Sequence, residues 1–107
     1  MEPTTNSTES SENNDLIVRL ASATADERQQ LLRQQVLRRV AEVLDVPAMD
    51  EESSFLDNGL TSLSALQLSK QLMDDTGIEV PLVAIVEHPT ATLLGKFLAE
   101  TYEADAS

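Results

Sequence analysis

Ser62 is the residue of this chain whose position best suits chemistry. It stands where a loop containing Gly59 meets an apolar segment that begins at Leu63. A serine at such a junction can cap the helix by accepting a backbone N–H, or it can present its hydroxyl as an exposed handle at the end of a rigid element. The two roles are compatible, and both make Ser62 the working residue that the sequence predicts.

The surroundings of Ser62 do not support catalysis by this residue alone. A serine hydroxyl attacks a substrate only when a general base and oxyanion donors lie beside it. His88 is the single histidine, cysteine is absent, and the flanking residues do not form the G-x-S-x-G turn of a hydrolase. For His88, just before Pro89, we expect a hydrogen bond to loop backbone rather than proton transfer. We therefore predict no catalytic residue and no enzyme activity.

Several segments around Ser62 form a longer pattern. The chain reads Asp57–Leu63 and then Ala65–Leu68 about the serine, Leu31–Leu44 with Asp50 and Phe55–Leu56 before it, and Val80–Thr90 after it. In this order and spacing the segments, which span about residues 16 to 102, resemble the acyl carrier proteins, specifically the carrier domains of modular polyketide synthases.

The resemblance implies a function for Ser62. In that family the serine carries a 4′-phosphopantetheine arm derived from coenzyme A, and an acyl group is held as a thioester on the terminal thiol of the arm. The implied partners are a phosphopantetheinyl transferase and an acyltransferase, ketosynthase or tailoring enzyme. The family most often has Asp immediately before the serine, whereas this chain has Thr61. Thr61 lacks the negative charge that favours a helix N-terminus, and we interpret the change as a subtype difference.

Composition restricts the class of protein. The chain has 107 residues and a formal net charge of -12. It is not expected to bind nucleic acid, because proteins bind the phosphate backbone mainly through Lys and Arg. The same charge suits partners with basic docking surfaces, although acidic surfaces also serve solubility. No apolar run is long enough to span a bilayer, and the acidic run Asp50–Glu52 is expected to be solvated rather than to bind metal. We predict a cytoplasmic monomer without nucleic acid, membrane or metal partners.

The apolar periodicity predicts an all-α protein. The expected fold is a small four-helix bundle of three long helices and one short one, with an extra short N-terminal helix capped by Asp15. The predicted parts are a disordered leader at 1–14, a carrier domain at 15–102 and a flexible tail at 103–107. Met1 and the polar leader fit a natural chain start. The first long helix is expected to begin with a capping box at Thr24 and Glu27 and to end before Pro47, and Phe55 and Leu56 are expected to pin the loop after it to the core. The second helix is expected over Ser62–Asp75 and is ended by Gly77. A short helix with Pro81 in its first turn and a last helix capped by Thr90 follow.

The second long helix has two faces. At about 100° per residue, its core face contains Ala65, Leu68 and Leu72. The opposite face contains Leu63, Leu66, Lys70 and Met73, and since lysine is rarely buried unpaired, this face is expected to be at least partly exposed. We predict that partner enzymes dock on Thr61, Leu63, Leu66 and Lys70. The alternatives are that Leu63 and Leu66 are rim residues of the core, or that Leu63 packs against the arm.

Two rival functions remain open at this point. Within the same class, the chain could be a peptidyl carrier of a nonribosomal peptide synthetase, although the Glu87–Thr90 turn favours the polyketide type. In a different class, it could be an unmodified helical adaptor in which Ser62 is only an N-cap. Intact mass after exposure to a phosphopantetheinyl transferase separates the carrier from the adaptor.

Overall fold

The computed structural model describes residues 15–47 and 49–106, and within them every regular element is a helix. The predicted all-α class is therefore confirmed, whereas the predicted leader at 1–14 lies outside the described residues. The extra N-terminal helix is present, but Asp15 is already a helical residue rather than the cap before it. The helices are α1 (residues 15–22), α2 (Ala25–Leu44), α3 (Ser62–Thr76), α4 (Leu82–Glu87) and α5 (Ala91–Ala106).

Local side-chain chemistry sets most helix ends where the sequence predicts them. Thr24 accepts a hydrogen bond from the Glu27 backbone N–H while the Glu27 carboxylate accepts one from the Thr24 N–H, which completes the capping box. The Thr90 hydroxyl accepts from the Leu93 N–H at 3.2 Å and caps α5. Gly77, at φ 72°, ends α3 in the left-handed region that glycine adopts without steric cost. Pro81 is the N-cap of α4 rather than a residue of its first turn.

The core lies mainly where α2 packs against α5. From α2 it contains Leu32, Val36 and Val40, which recur at helical spacing and are all fully buried. On α5, Gly95 allows a close approach, since a Cβ added there would lie 2.8 Å from the Arg33 Cα. The two helix backbones are thus in near contact at this point. The other buried apolar residues are Leu20, Phe55, Leu60, Ala65, Leu68, Leu72, Ile78, Val80, Ala84, Ile85, Ala91, Leu94, Leu98 and Ala99.

The C-terminal end of the chain differs from the sequence prediction. Residues 103–106, expected in a flexible tail, continue α5. Arg28 explains part of this, because its guanidinium lies 4.7 Å from the Tyr102 ring centroid and 3.3 Å from the Glu103 carboxylate. Arg28 also donates to the carbonyls of Leu20 and Ala23, each at 2.9 Å. One side chain on α2 therefore holds both α1 and the last turns of α5.

The far end of α3 is fixed to α2 by a buried carboxylate. Asp75 is 2% exposed, and it accepts hydrogen bonds from Arg39 Nη2 at 2.7 Å and from Gln35 Nε2 at 2.6 Å. The hydrogen bond to Asp75 raises the pKa of Arg39 above its ordinary value, against the opposing effect of burial, so Arg39 stays cationic. Nearby, the buried Ser69 hydroxyl donates to the Val80 carbonyl. These contacts set the direction in which α3 points.

Candidate functional site

Ser62 is the first residue of α3, and Thr61 is its N-cap. Thr61 has an extended backbone, and its Oγ1 accepts a hydrogen bond from the Ser64 N–H at 3.2 Å. The same Oγ1 donates to Ser64 Oγ, also at 3.2 Å. The interpretation of Ser62 as N-cap is therefore wrong, because the preceding hydroxyl residue has the extended geometry that a cap requires. The interpretation of Ser62 as an exposed handle agrees with its position.

The hydroxyl of Ser62 differs from its two neighbours in being free. Thr61 and Ser64 bond to each other, whereas the exposed Ser62 hydroxyl makes no hydrogen bond within the described part of the chain. The first N–H groups of a helix have no intrahelical acceptor and give its N-terminus a partial positive charge. A phosphate ester on Ser62 would lie beside these groups, so the residues present fit a phosphopantetheine arm attached here.

The loop before Ser62 is held by one aromatic residue. Phe55 is fully buried, its N–H donates to the Pro89 carbonyl at 2.8 Å, and its own carbonyl accepts from the Leu60 N–H at 3.0 Å. The expectation that Leu56 also pins the loop is wrong, since its side chain is 56% exposed. Because the backbone turns back at Phe55, the Phe55 side chain is buried whereas the adjacent Leu56 side chain is exposed. Leu56 instead belongs to the surface around Ser62.

The faces predicted for α3 agree with the structure in most positions. Ala65, Leu68 and Leu72 are buried, while Leu63 is 70% exposed and Leu66 is 48% exposed. Thr61 and Lys70 are exposed as well. Met73, at the far end of the same face, is half-buried and packs against the core. The alternative that Leu63 and Leu66 are core rim residues does not fit their exposure.

The exposed apolar surface is larger than α3 alone, because α4 contributes to it. This surface, called here the apolar face, consists of Leu56, Leu63, Leu66, Leu82, Val83 and Val86, each more than 40% exposed. A recess of about 300 Å³ beside Ser62 is lined by Leu56, Leu60, Thr61, Ser62, Ala65, Leu82 and Val86. The sequence prediction did not include the α4 residues. The available signal in the sequence was the run of five apolar residues at 82–86, which is more than one face of so short a helix can bury.

Other residues considered from the sequence lie outside this surface. The His88 ring stacks on Phe97 with centroids 4.8 Å apart, in place of the expected hydrogen bond to loop backbone. Glu51 is not simply solvated, since its carboxylate lies 3.3 Å from Arg33 Nε. In residues 15–47 and 49–106 no cluster of three or more potential metal ligands occurs. None of the helices in that part of the chain is long and apolar enough to cross a membrane.

Comparison with known proteins gives one family. A family profile described as a phosphopantetheine attachment site matches residues 34–98. The chain is 37% identical over 91 residues to erythronolide synthase EryA2 of Saccharopolyspora erythraea and 40% identical over 90 residues to the pikromycin polyketide synthase component PikAII of Streptomyces venezuelae. These matches cover 82% and 80% of this chain. The chain spans only 3% and 2% of the length of these curated relatives.

Solved structures agree with this result. The A1-type ACP domain from module 5 of MLSA1 is 35% identical, with a TM-score of 0.73 over 80% of this chain and 89% of that one. BlmI, a type-II acyl-carrier-protein of Streptomyces verticillus involved in bleomycin biosynthesis, superposes with a TM-score of 0.65 over 77% of this chain and 94% of that one. At 16% identity the second likeness concerns the fold alone.

Proposed function

The chain belongs to the phosphopantetheine attachment family, as a carrier domain of the modular polyketide synthase type, and we propose that Ser62 is its attachment residue. The observation that supports this choice is the free, exposed hydroxyl of Ser62 between two hydroxyl residues that bond to each other. Of the three hydroxyl groups, only that of Ser62 can be modified without breaking the side-chain hydrogen bond between Thr61 and Ser64.

The attachment step follows from ordinary phosphoryl chemistry. Ser62 Oγ forms a bond to the phosphorus that carries the pantetheine part of coenzyme A, and the bond from that phosphorus to adenosine 3′,5′-bisphosphate breaks. The serine proton passes to a base of the transferase, because no general base of this chain lies beside Ser62 among the described residues. When bound, the arm supplies a thiol that holds an acyl group as a thioester. Thr61 keeps the first turn of α3 in place throughout.

The chain itself then acts as a carrier and performs no chemistry. A covalent tether raises the effective concentration of the acyl group near each enzyme and keeps it from diffusing away. The proposed partners are a phosphopantetheinyl transferase, an acyltransferase and a ketosynthase or tailoring enzyme, which the chain meets as a monomer. The docking surface is proposed to include Thr61, Leu63, Leu66 and Lys70, all exposed beside Ser62 or farther along the same helix.

The structure does not support the hypothesis of an unmodified adaptor. It requires Ser62 to be present as an N-cap, whereas Thr61 forms the cap. Replacing Ser62 should therefore cost little stability, while it should abolish a modification that depends on its hydroxyl.

The test is intact mass after incubation with coenzyme A and a phosphopantetheinyl transferase of broad substrate range. The parent chain should gain one phosphopantetheine group, Ser62→Ala should gain none, and Ser64→Ala serves as the matched control that should still be modified. Circular dichroism on each variant confirms that the helices are retained. Modification that persists in Ser62→Ala, or an unmodified parent chain, contradicts the proposal.

A further inference from the structure

Asn58 and Gly59 form the single Asn–Gly pair of the sequence, in the loop that leads to Ser62. Asparagine is a thermolabile residue, because the backbone nitrogen of the next residue can attack its side-chain carbonyl carbon. Glycine has no Cβ that would hinder this approach. Both residues are exposed, so water reaches them. The pair therefore has the chemistry of a spontaneous modification site.

The pair lies in a turn that is fixed at both ends. Phe55 and Leu60 are buried, and the residues between them are exposed. The Phe55 carbonyl accepts hydrogen bonds from the Asn58 N–H at 3.1 Å and from the Leu60 N–H at 3.0 Å. Gly59, at φ 98°, donates its N–H to the Leu56 carbonyl at 3.1 Å. The turn therefore holds the N–H groups of residues 58, 59 and 60.

The side chain of Asn58 is held as well. Its Nδ2 donates to the Ser54 carbonyl at 2.8 Å. Ring closure requires the Gly59 nitrogen to lose its proton and to approach Asn58 Cγ. In the closed turn the Gly59 N–H is engaged by Leu56, and the Asn58 amide is engaged by Ser54. The closed turn therefore opposes the reaction, which proceeds only after these two hydrogen bonds open.

We propose that Asn58 is a site of spontaneous deamidation and that opening of the turn at residues 55–60 controls its rate. In the open turn the Gly59 nitrogen forms a bond to Asn58 Cγ, the Cγ–Nδ2 bond breaks, and Nδ2 leaves as ammonia with the proton given up by Gly59. A water molecule then opens the succinimide ring. Cleavage at Cγ gives aspartate, and cleavage at the backbone carbonyl carbon gives isoaspartate, in which the main chain runs through Cβ and Cγ.

Local opening is the route because little buried surface opposes it. Asp57, Asn58 and Gly59 are all exposed, and only the ends of the turn are anchored in the core. Segments with few buried contacts open at a lower free energy than the whole domain. The rate of deamidation in the folded chain is then the rate in the unfolded chain multiplied by the fraction of molecules in which the turn is open.

The product alters the loop that positions Ser62. Neither aspartate nor isoaspartate has the Nδ2 donor that binds the Ser54 carbonyl, and both carry a carboxylate, which accepts hydrogen bonds only. Isoaspartate also lengthens the main chain between Phe55 and Leu60, so the hydrogen bonds of the turn cannot all form again. This consequence rests on Ser62 as the attachment residue, and it makes the deamidated chain a poorer substrate for phosphopantetheine transfer.

The test follows deamidation of the whole chain at a fixed, mildly alkaline pH. Peptide mass mapping detects the replacement of –NH2 by –OH at residue 58, and chromatographic retention separates the aspartyl from the isoaspartyl product. The folded parent chain should deamidate at least about tenfold more slowly than the same chain unfolded in guanidinium chloride. Asn58→Gln, whose amide lies one carbon farther from the backbone, is the chemical control and should show no conversion at this position over the same time.

Two leucine variants test whether the opening is local. Leu60→Ala removes a buried anchor of the turn and should raise the rate in the folded chain at least about fivefold. Leu20→Ala, the same change at a buried leucine of α1, is the matched control and should leave the rate near the parent value. Circular dichroism confirms that both variants are folded.

Each other outcome overturns the inference in a recognisable way. Equal acceleration by Leu60→Ala and Leu20→Ala indicates that global unfolding is the route. Equal rates in the folded and the unfolded parent chain indicate that the turn does not restrain Asn58, and the absence of conversion in the unfolded chain indicates that Asn58 is not a deamidation site.

A separate measurement concerns attachment. The isoaspartyl fraction should accept phosphopantetheine about tenfold more slowly than the parent chain, or more slowly still, because a displaced reacting group is costly. Equal rates would show that the turn does not position Ser62. If the parent chain accepts no phosphopantetheine, the assignment of Ser62 fails, while mass mapping of residue 58 still decides the deamidation, so the two failures are distinguishable.

Discussion

The ion pair between Arg39 and Asp75 gives the sharpest test of how α3 is held. Asp75 is 2% exposed and accepts from Arg39 through Nε and Nη2 and from Gln35 through Nε2. The Arg39 side chain is 26% exposed and also bonds Glu42 at 3.0 Å. The pair is therefore unequal, because the arginine keeps a second carboxylate and access to water whereas the aspartate has neither.

We expect a large loss of stability when Arg39 alone is replaced and a small one when Asp75 is replaced as well. Arg39→Met leaves a buried carboxylate with one amide donor, and breaking a buried pair in this way costs about 3 to 5 kcal/mol. Since a domain of this kind unfolds with about 5 to 15 kcal/mol in total, the variant should be folded but much less stable. Combining it with Asp75→Leu removes the unpaired charge and fills its place with apolar volume, which should restore the free energy of unfolding to within about 2 kcal/mol of the parent value.

Urea unfolding followed by far-ultraviolet circular dichroism measures both values, because the chain has no tryptophan and its described part is helical. A free energy of unfolding for Arg39→Met within about 1 kcal/mol of the parent value would show that Asp75 does not need its partner. A double variant as unstable as the single one would show that the loss comes from packing rather than from an unpaired charge. Either result would refute the role given to this pair.

Three further predictions concern packing and capping. Leu68→Ala should lower the free energy of unfolding by about 2 to 5 kcal/mol, as for a buried leucine. Leu66→Ala should cost less than about 1 kcal/mol yet slow acyl transfer from the partner acyltransferase. An equal loss of stability for the two variants in thermal unfolding would place Leu66 in the core. Gly95→Val should lower the midpoint of thermal unfolding, because its Cβ meets the backbone of Arg33 and overpacking of about 1 to 3 kcal/mol exceeds the gain in helix propensity; a raised midpoint contradicts this. Thr24→Ala should cost about 1 kcal/mol through loss of the capping box, and an unchanged midpoint in urea would show that this cap is dispensable.

The parts of the fold that the sequence predicts are those set by neighbouring residues. The capping box at Thr24 needs only residues three positions apart, and the left-handed end at Gly77 needs only one glycine. The core face of α3, with Ala65, Leu68 and Leu72, follows from the helical period alone. Ser62 was predicted as the working residue on the same local ground, and its exposed position at the start of α3 agrees with that prediction.

The parts that were wrong or missed depend on long-range contacts. Arg28 of α2 contacts Glu103 near the end of α5, 75 residues away along the chain, and no local pattern shows that contact. In the sequence, Asp75 is a polar residue near a helix end, and only the fold brings Arg39 of α2 into contact with it. Leu56 and Phe55 are adjacent apolar residues in a loop without period, and only the hydrogen bonds to Pro89 and Leu60 decide which of the two is buried.

The division of α3 into two halves has a consequence for how such a domain can vary. Its C-terminal half, with Ser69, Leu72, Asp75 and Thr76 buried, anchors the helix to the rest of the protein. Its N-terminal half presents Ser62 about 20 Å away. In that half Ala65 and Leu68 are buried in the core, whereas core packing does not constrain the exposed positions. Surface residues at 63, 66, 67 and 70 can therefore be exchanged without disturbing the anchor. Partner preference can then drift or be redesigned independently of fold stability, by grafting the exposed positions of one carrier onto the anchored half of another.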